Sequence, residues 1–409
     1  MEASARRRSS RSVANDAIIR AAIVDEIAVV GVDVLGPTGV ARRAGLTTGA
    51  VYGRYESVPE MLVDVWITDL RDPHVHDLNR LISAMDQSVA PTDMVEVVTN
   101  LASPSTQTRA AVELLTAAHR IDELDEVIGD DVAQWRQAWG IGTGDDDRDA
   151  RVLWTLAAAW GVVLFALVGL PDPGWQRSFR WAHRAAQTPF VPGRAPGHAP
   201  GPVEVPDLQV DTGDEMRDQL LTATMEVMSR VGLERTTTSR IARRAGLGQN
   251  WIYAGYASKE DLLVDTLAVL LNKVLAQSER ELLAEAPVDD RLAGVARSVT
   301  TYLAPSLRSW RMLRLEAHLA ARHRPRAAAV LVEGFEESLR TYPAATGLVE
   351  PERIAGIQPL LRYFVASVLG VGLVDSLFGS LQDVDWGPAI GAFGMGQHDQ
   401  APAGAPAGE

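Results

Sequence analysis

The chain has 409 residues, no cysteine and a formal charge of −14. That length is more than one ordinary core needs and points to two domains, while the lack of cysteine excludes disulfides and thiolate metal sites. The acidity argues against nucleic-acid binding only as a sum. Residues 1–66 hold eight arginines against eight acidic residues, and a ligand meets a patch, not a net charge.

Residues 1–14 carry Arg6, Arg7, Arg8 and Arg11 without an apolar run, which predicts a disordered basic arm and no secretory signal. A cytoplasmic location is therefore expected. The arm reads equally as a phosphate- or minor-groove-seeking extension and as a solvated tail. Residues 15–30 place Ile18, Ala22, Ile23, Ile27 and Val30 at helical spacing, and Gly31 ends the helix as a C′ glycine would. A second helix starts at Gly36-Pro37-Thr38, although Pro37 and Gly39 weaken it. Gly45 then sits where two short helices must turn steeply, a place that suits positive φ. Thr47 can cap a third helix over 48–55, and Ser57 with Glu60 forms a capping box for a fourth over 60–70.

This stretch occurs twice. Ala41-Arg42-Arg43-Ala44-Gly45-Leu46, Tyr52, Tyr55, Ser57 and Leu62-Val63-Asp64 return as Ala242-Arg243-Arg244-Ala245-Gly246-Leu247, Tyr253, Tyr256, Ser258 and Leu263-Val264-Asp265, at a constant offset of 201 residues. Residues 15–66 and 214–264 thus read as two helix-turn-helix heads. Behind them, residues 67–187 and 265–391 alternate apolar helical stretches with breaks, in the first at Pro91, Pro104, Gly129, 140–147 and 171–174, in the second at Pro287, Pro305, Pro325, Pro343 and Pro351. No long period-two run suggests a sheet, so the fold class is all-α.

Residues 152–170 are uncharged, and 359–381 are nearly so. Both are long enough for a membrane span, but their small residues and the all-helical setting predict helices buried against one another. Residues 188–213 alternate proline with glycine and read as a linker, and residues 392–409 as a disordered tail. Weaker echoes set Glu113 and His119 against Glu316 and His323, so the duplication extends through the bodies.

The pattern Ala-x-x-Ala-Gly-Leu, Tyr-x-x-Tyr, Ser and an acidic-Leu helix resembles the DNA-binding head of the TetR family of bacterial transcriptional regulators. The resemblance implies a homodimer with a four-helix interface, two recognition helices in successive major grooves, and bodies that hold a small-molecule pocket. Here it implies two tandem TetR-like units in one chain, an intramolecular pseudo-dimer. A 26-residue linker spans roughly 28 Å on average, near the about 34–36 Å between half-sites. Whether fused chains pair again is left open.

On groove-inserted helices, Gln249 and Asn250 suit adenine, Thr48 suits a base edge or a thymine methyl, and Tyr52 and Tyr253 suit phosphates. Arg42, Arg43, Arg243, Arg244 and Lys259 add backbone contacts, while Trp251 either contacts the groove or blocks it. Thr47, Thr48, Gly49 and Ala50 face Gly248, Gln249, Asn250 and Trp251 across the repeat, so the two helices are expected to read different bases and an asymmetric operator. Tyr55 and Tyr256 are expected in the core. Ligand-pocket candidates are Trp135, Trp139, Trp154 and Trp160 in the first body, and Trp310, His318, Phe335, Tyr363 and Phe364 in the second. No cofactor or metal is expected, since His74 and His76 alone make a poor site. No catalytic constellation is visible, so an enzyme is not expected. The expected function is a DNA-binding regulator, a repressor released by a small ligand. The alternative is a sensor or protein-interaction module whose heads have lost DNA binding.

Overall fold

The computed structural model describes residues 10–86, 92–170, 174–187, 210–271, 291–345 and 350–391. Among them every regular element is a helix. The basic arm through residue 9, linker residues 188–209 and the tail lie outside the described residues, as do Pro91, Pro287 and residues 171–173.

The first head comprises α1 (Ser10–Val30), α2 (Pro37–Ala44) and α3 (Thr48–Tyr52). α1 begins at Ser10, so residues 10–14 are helix and not arm. Its buried row is Ile19, Ile23 and Ile27, with Ile18 46% exposed, one position away from the expected stripe. α2 forms despite Pro37, whose missing N–H is no loss in a first turn. Gly39 does not weaken the head: a Cβ there would lie 2.4 Å from Glu26 Oε1, so glycine makes room for a buried carboxylate. Gly45 takes φ 66°, ψ 27°, and a Cβ there would meet nothing within 4 Å, so backbone conformation alone selects glycine.

α4 (Val58–Val65) is capped by Ser57, which accepts from Glu60 N at 3.2 Å, and runs through a π-turn (Trp66–Leu70) into α5 (Arg71–Asp86). The first body continues with α6 (Thr92–Ala102), α7 (Thr106–Ala117), α8 (Asp122–Ala138), α9 (Asp146–Leu167) and α10 (Trp175–Gln187). Gly129 does not break α8.

The second head repeats the first as α11 (Glu215–Val231), α12 (Thr238–Ala245) and α13 (Gln249–Gly255). Residues 210–213 belong to this head and not to the linker, since Val210 is buried and Thr212 N donates to Asp218 at 3.0 Å. The second body holds α14 (Lys259–Val269), α15 (Arg291–Tyr302), α16 (Arg308–Ala321), α17 (Pro325–Ala345), α18 (Pro351–Phe378) and α19 (Gly387–Gly391). Pro325 and Pro351 start helices, whereas Pro343 lies inside α17 without ending it.

α1 packs on α7 and α11 on α16, which ties each head to its own body. The halves join mainly through α9 and α18. A Cβ on Gly161 would lie 1.9 Å from Ala366 O and one on Gly370 1.8 Å from Ala157 O, so the two backbones touch where side chains are absent. Phe179 of α10 meets Tyr363 of α18 at 5.0 Å, and Trp154 of α9 meets Trp386, just before α19, at 5.5 Å. Both long apolar helices have lengths that would cross a membrane, but their apolar windows are 89% and 78% buried in protein. Hydrophobic burial against each other accounts for their composition.

Candidate nucleic-acid interface

The two heads share a turn glycine and an inner Tyr–Asp bond, but a threonine caps a different helix in each. In the first, Thr47 accepts from Ala50 N at 3.3 Å to start α3. In the second, Thr237 caps α12 by accepting from Arg240 N at 3.3 Å, and Gly246 turns at φ 71°, ψ 21°. The inner tyrosines lock the turn from behind. Tyr55 Oη donates to Asp64 at 2.5 Å, and Tyr256 Oη to Asp265 at 2.6 Å. An arginine completes each site from a different element: Arg54, in the turn after α3, bridges Asp16 and Asp64 in the first head, and Arg217, on α11, bonds Asp265 at 2.8 Å in the second. The arginine has moved between copies while its aspartate has not, because position 255 is glycine and Arg217 stands where Asp16 stands.

The outward faces of α3 and α13 remain in solvent. Tyr52 and Tyr253 are each 61% exposed and Trp251 44%. Thr47, Gly49, Gly248, Gln249 and Asn250 are exposed, and Thr48 and Ala50 are half-buried. Gln249 Nε2 donates to Ser239 Oγ, and Tyr253 Oη lies 3.3 Å from Thr238 Oγ1. Asn250 Oδ1 lies over Gly248, where a Cβ would approach it to 2.4 Å.

The paired arginines divide in role. Arg43 bonds Glu26 at 2.6 Å and Arg244 bonds Glu226 at 2.7 Å, each bracing its head's first helix. The Arg42 side chain is 79% exposed, and Arg243 is exposed. Lys259 is half-buried. Its Nζ donates to Thr236 O at 3.0 Å and Leu233 O at 3.3 Å, and burial pushes its pKa down. The lysine therefore clamps the loop before α12, leaving one ammonium hydrogen for any outside acceptor.

Residues 220–266 match the family model described as bacterial regulatory proteins, tetR family. The match lies on the second head and the start of α14, and it supports a DNA-binding transcriptional regulator. No curated protein matches the chain.

The nine ligand candidates do not converge. Trp135 packs between Trp66 and Trp139, and Trp139 Nε1 donates to Asn79 at 2.6 Å. Trp154 packs on Phe364 at 5.7 Å, and Tyr363 lies against Phe179. Trp160 Nε1 donates to His74 Nε2 at 3.0 Å, and Trp310 lies under the Arg314 guanidinium. These seven fill the core, where large rings contribute most burial. His318 and Phe335 instead line a cavity near the meeting of the two halves. Sequence reading passed over Arg314, which lines the same cavity. Its signal was the spacing, since Arg314 and His318 stand one turn apart on the same face of α16.

His74 is buried against Trp160 and unavailable as a ligand. Among the described residues no cluster of three or more metal-binding side chains occurs.

Proposed function

We propose that this chain is a sequence-specific transcriptional regulator in which two TetR-like units form an intramolecular pseudo-dimer and read an asymmetric operator. In this reading it acts in the cytoplasm as a repressor released by a small ligand. The observation that carries it is the pairing of two heads with the same turn, the same inner Tyr–Asp lock and the same exposed outer tyrosine, but with different groove-facing residues. Thr48, Gly49 and Ala50 offer the first half-site one hydroxyl and small volumes. Gln249, Asn250 and Trp251 offer the second two amides and an indole.

Residues 15–66 and 214–264 are the DNA-binding units in this reading, and the two bodies support the pairing. Tyr52, Tyr253, Arg42 and Arg243 contact phosphates, with Arg43, Arg244 and Lys259 mainly holding the heads in shape.

Selection of bound sequences from random DNA at stated salt tests the proposal. The expected product is a site whose halves differ. A perfect palindrome, or no enrichment at all, would overturn it, and the second outcome would favour the sensor alternative.

A further inference from the structure

Arg314 on α16 is 6% exposed, and among the described residues it has no ion-pair partner. Its Nη1 donates to Tyr302 Oη at 3.1 Å, and its guanidinium lies 5.5 Å from the Tyr302 ring and 5.7 Å from that of Trp310. Its Nε is buried without a hydrogen-bond acceptor. A buried guanidinium balanced only by aromatic faces is costly, and its geometry matches a carboxylate.

One turn along, His318 is 2% exposed. Its Nδ1 lies 2.7 Å from Arg314 O, and a carbonyl only accepts, so Nδ1 carries the proton. Burial pushes the ring's pKa down to about 3, which keeps it neutral and leaves Nε2 as an acceptor. That atom too is buried with no partner. Both side chains border one cavity of about 20 Å³, whose other walls include Phe165 and Phe335, 4.6 Å apart between ring centres. Glu337 also lines it, but its carboxylate is engaged by Arg340 at 2.7 Å and Thr341 Oγ1 at 3.2 Å.

We propose that this cavity is the chain's effector site and takes a small aromatic carboxylate bearing a hydroxyl, with the carboxylate on Arg314, the ring between Phe165 and Phe335, and the hydroxyl donating to His318 Nε2. The inference rests on the regulator reading and specifies its ligand. A space of this size holds about one water, so the ligand must displace the Phe335 ring on α17. The duplicated position predicts one site per chain. Glu113 and Glu316 are counterparts, which sets Ala111 and Leu115 of α7 against Arg314 and His318, and neither can bind an anion. The site also has a route to DNA. α16 runs from Arg314 to its end beside Arg322, which pairs with Glu113 of the other half at 2.9 Å, and His323, whose Nε2 bonds Val29 O at the end of α1. Wedging α16 away from Phe165 on α9 would pull on the first head.

Calorimetric titration of the full chain with 4-hydroxybenzoate, benzoate and 4-hydroxybenzamide tests the proposal. 4-Hydroxybenzoate should saturate one site per chain. The uncharged amide should bind about tenfold weaker or worse, because it cannot pair with Arg314, and benzoate should also bind more weakly, because it offers His318 no donor. Arg314→Gln should remove binding of the acid, and His318→Phe should erase the preference for the hydroxyl. The acid–amide comparison uses the unmodified chain, so it stands whether or not Arg314→Gln folds. Equal binding of acid and amide, two sites per chain, or no saturable binding because the cavity holds a water only would each overturn it. A failure here with specific DNA binding intact removes the effector assignment alone. Carboxylate binding without DNA selection removes the regulator reading alone.

Discussion

Glu113 on the first half's α7 and Arg322 at the end of the second half's α16 form a 2.9 Å ion pair, with both side chains almost wholly buried. The reciprocal pair is Arg120 with Glu316. Each pair also holds the loop of the first head, since Glu113 Oε1 accepts from Val32 N at 3.0 Å and Arg120 reaches Asp33 at 3.4 Å. His119 Nε2 lies 3.2 Å from Ser229 O of the second head, while His323 bonds Val29 O of the first. Each body thus grips the head of the other half as well as its own. The geometry between heads is set by side chains that one half could not supply alone.

Glu113→Ala should cost about 3–5 kcal/mol, because it strands the Arg322 guanidinium and the Val32 N–H away from water. The double variant with Arg322→Ala should lose much less than the sum of the two single losses, since no charge is then left unpaired. Urea unfolding of the four proteins gives the cycle. Additive losses would show that the pair is not coupled.

Gly370→Ala should destabilise by about 3 kcal/mol or more, because its Cβ would meet Ala157 O at 1.8 Å, a backbone atom that cannot swing aside. Gly129→Ala, on an exposed position of α8 with nothing within 4 Å, should instead gain about 0.5–1 kcal/mol by reducing unfolded-state freedom. Thermal melts of the two variants should therefore move in opposite directions.

His74 carries a pH signature. Burial pushes its ring down to about 4 from an ordinary 6.5, and its Nε2 must stay unprotonated to accept from Trp160. The unfolded chain therefore binds a proton in this window that the folded chain does not, so stability present above pH 6.5 is lost as pH falls toward 4. The loss is on the order of 3 kcal/mol. Glu316 has the opposite slope, because burial pushes its carboxyl up to about 7 from 4.5, so its folded form takes up the proton first. The contribution of His74 is read from the difference between wild type and His74→Asn. Parallel curves of urea midpoint against pH would contradict it.

Arg243→Ala should weaken DNA binding evenly across sequences and lower the salt slope by about 1, as expected for one lost phosphate contact. Alanine at Gln249 and Asn250 together should relax base preference in the second half-site only, by about 1–3 kcal/mol per lost bidentate pair. Selected sites and salt titrations of the variants check both. A change in the first half-site would contradict the assignment of α13.

The two heads could be read from the sequence because a helix-turn-helix depends on local rules. Gly45 and Gly246 must turn at positive φ, Ser57 and Ser258 must accept from nearby N–H groups, and these needs recur at fixed spacing. The burial of α9 and α18 was legible too, because so little charge over so long a stretch leaves few other places for it. What tertiary structure decided lies between segments far apart in the chain. The aromatics suggested ligand walls, but Trp135 packs on Trp66 and Trp139, Trp154 on Phe364 and Trp386, and Trp160 on His74. Gly39 looked like a defect in a helix until Glu26 was found against it. The isolation of Arg314 is a tertiary property, because it depends on which residues of other helices close over it. Local spacing specifies a turn or a cap, whereas the absence of a partner is a property of the whole packed molecule.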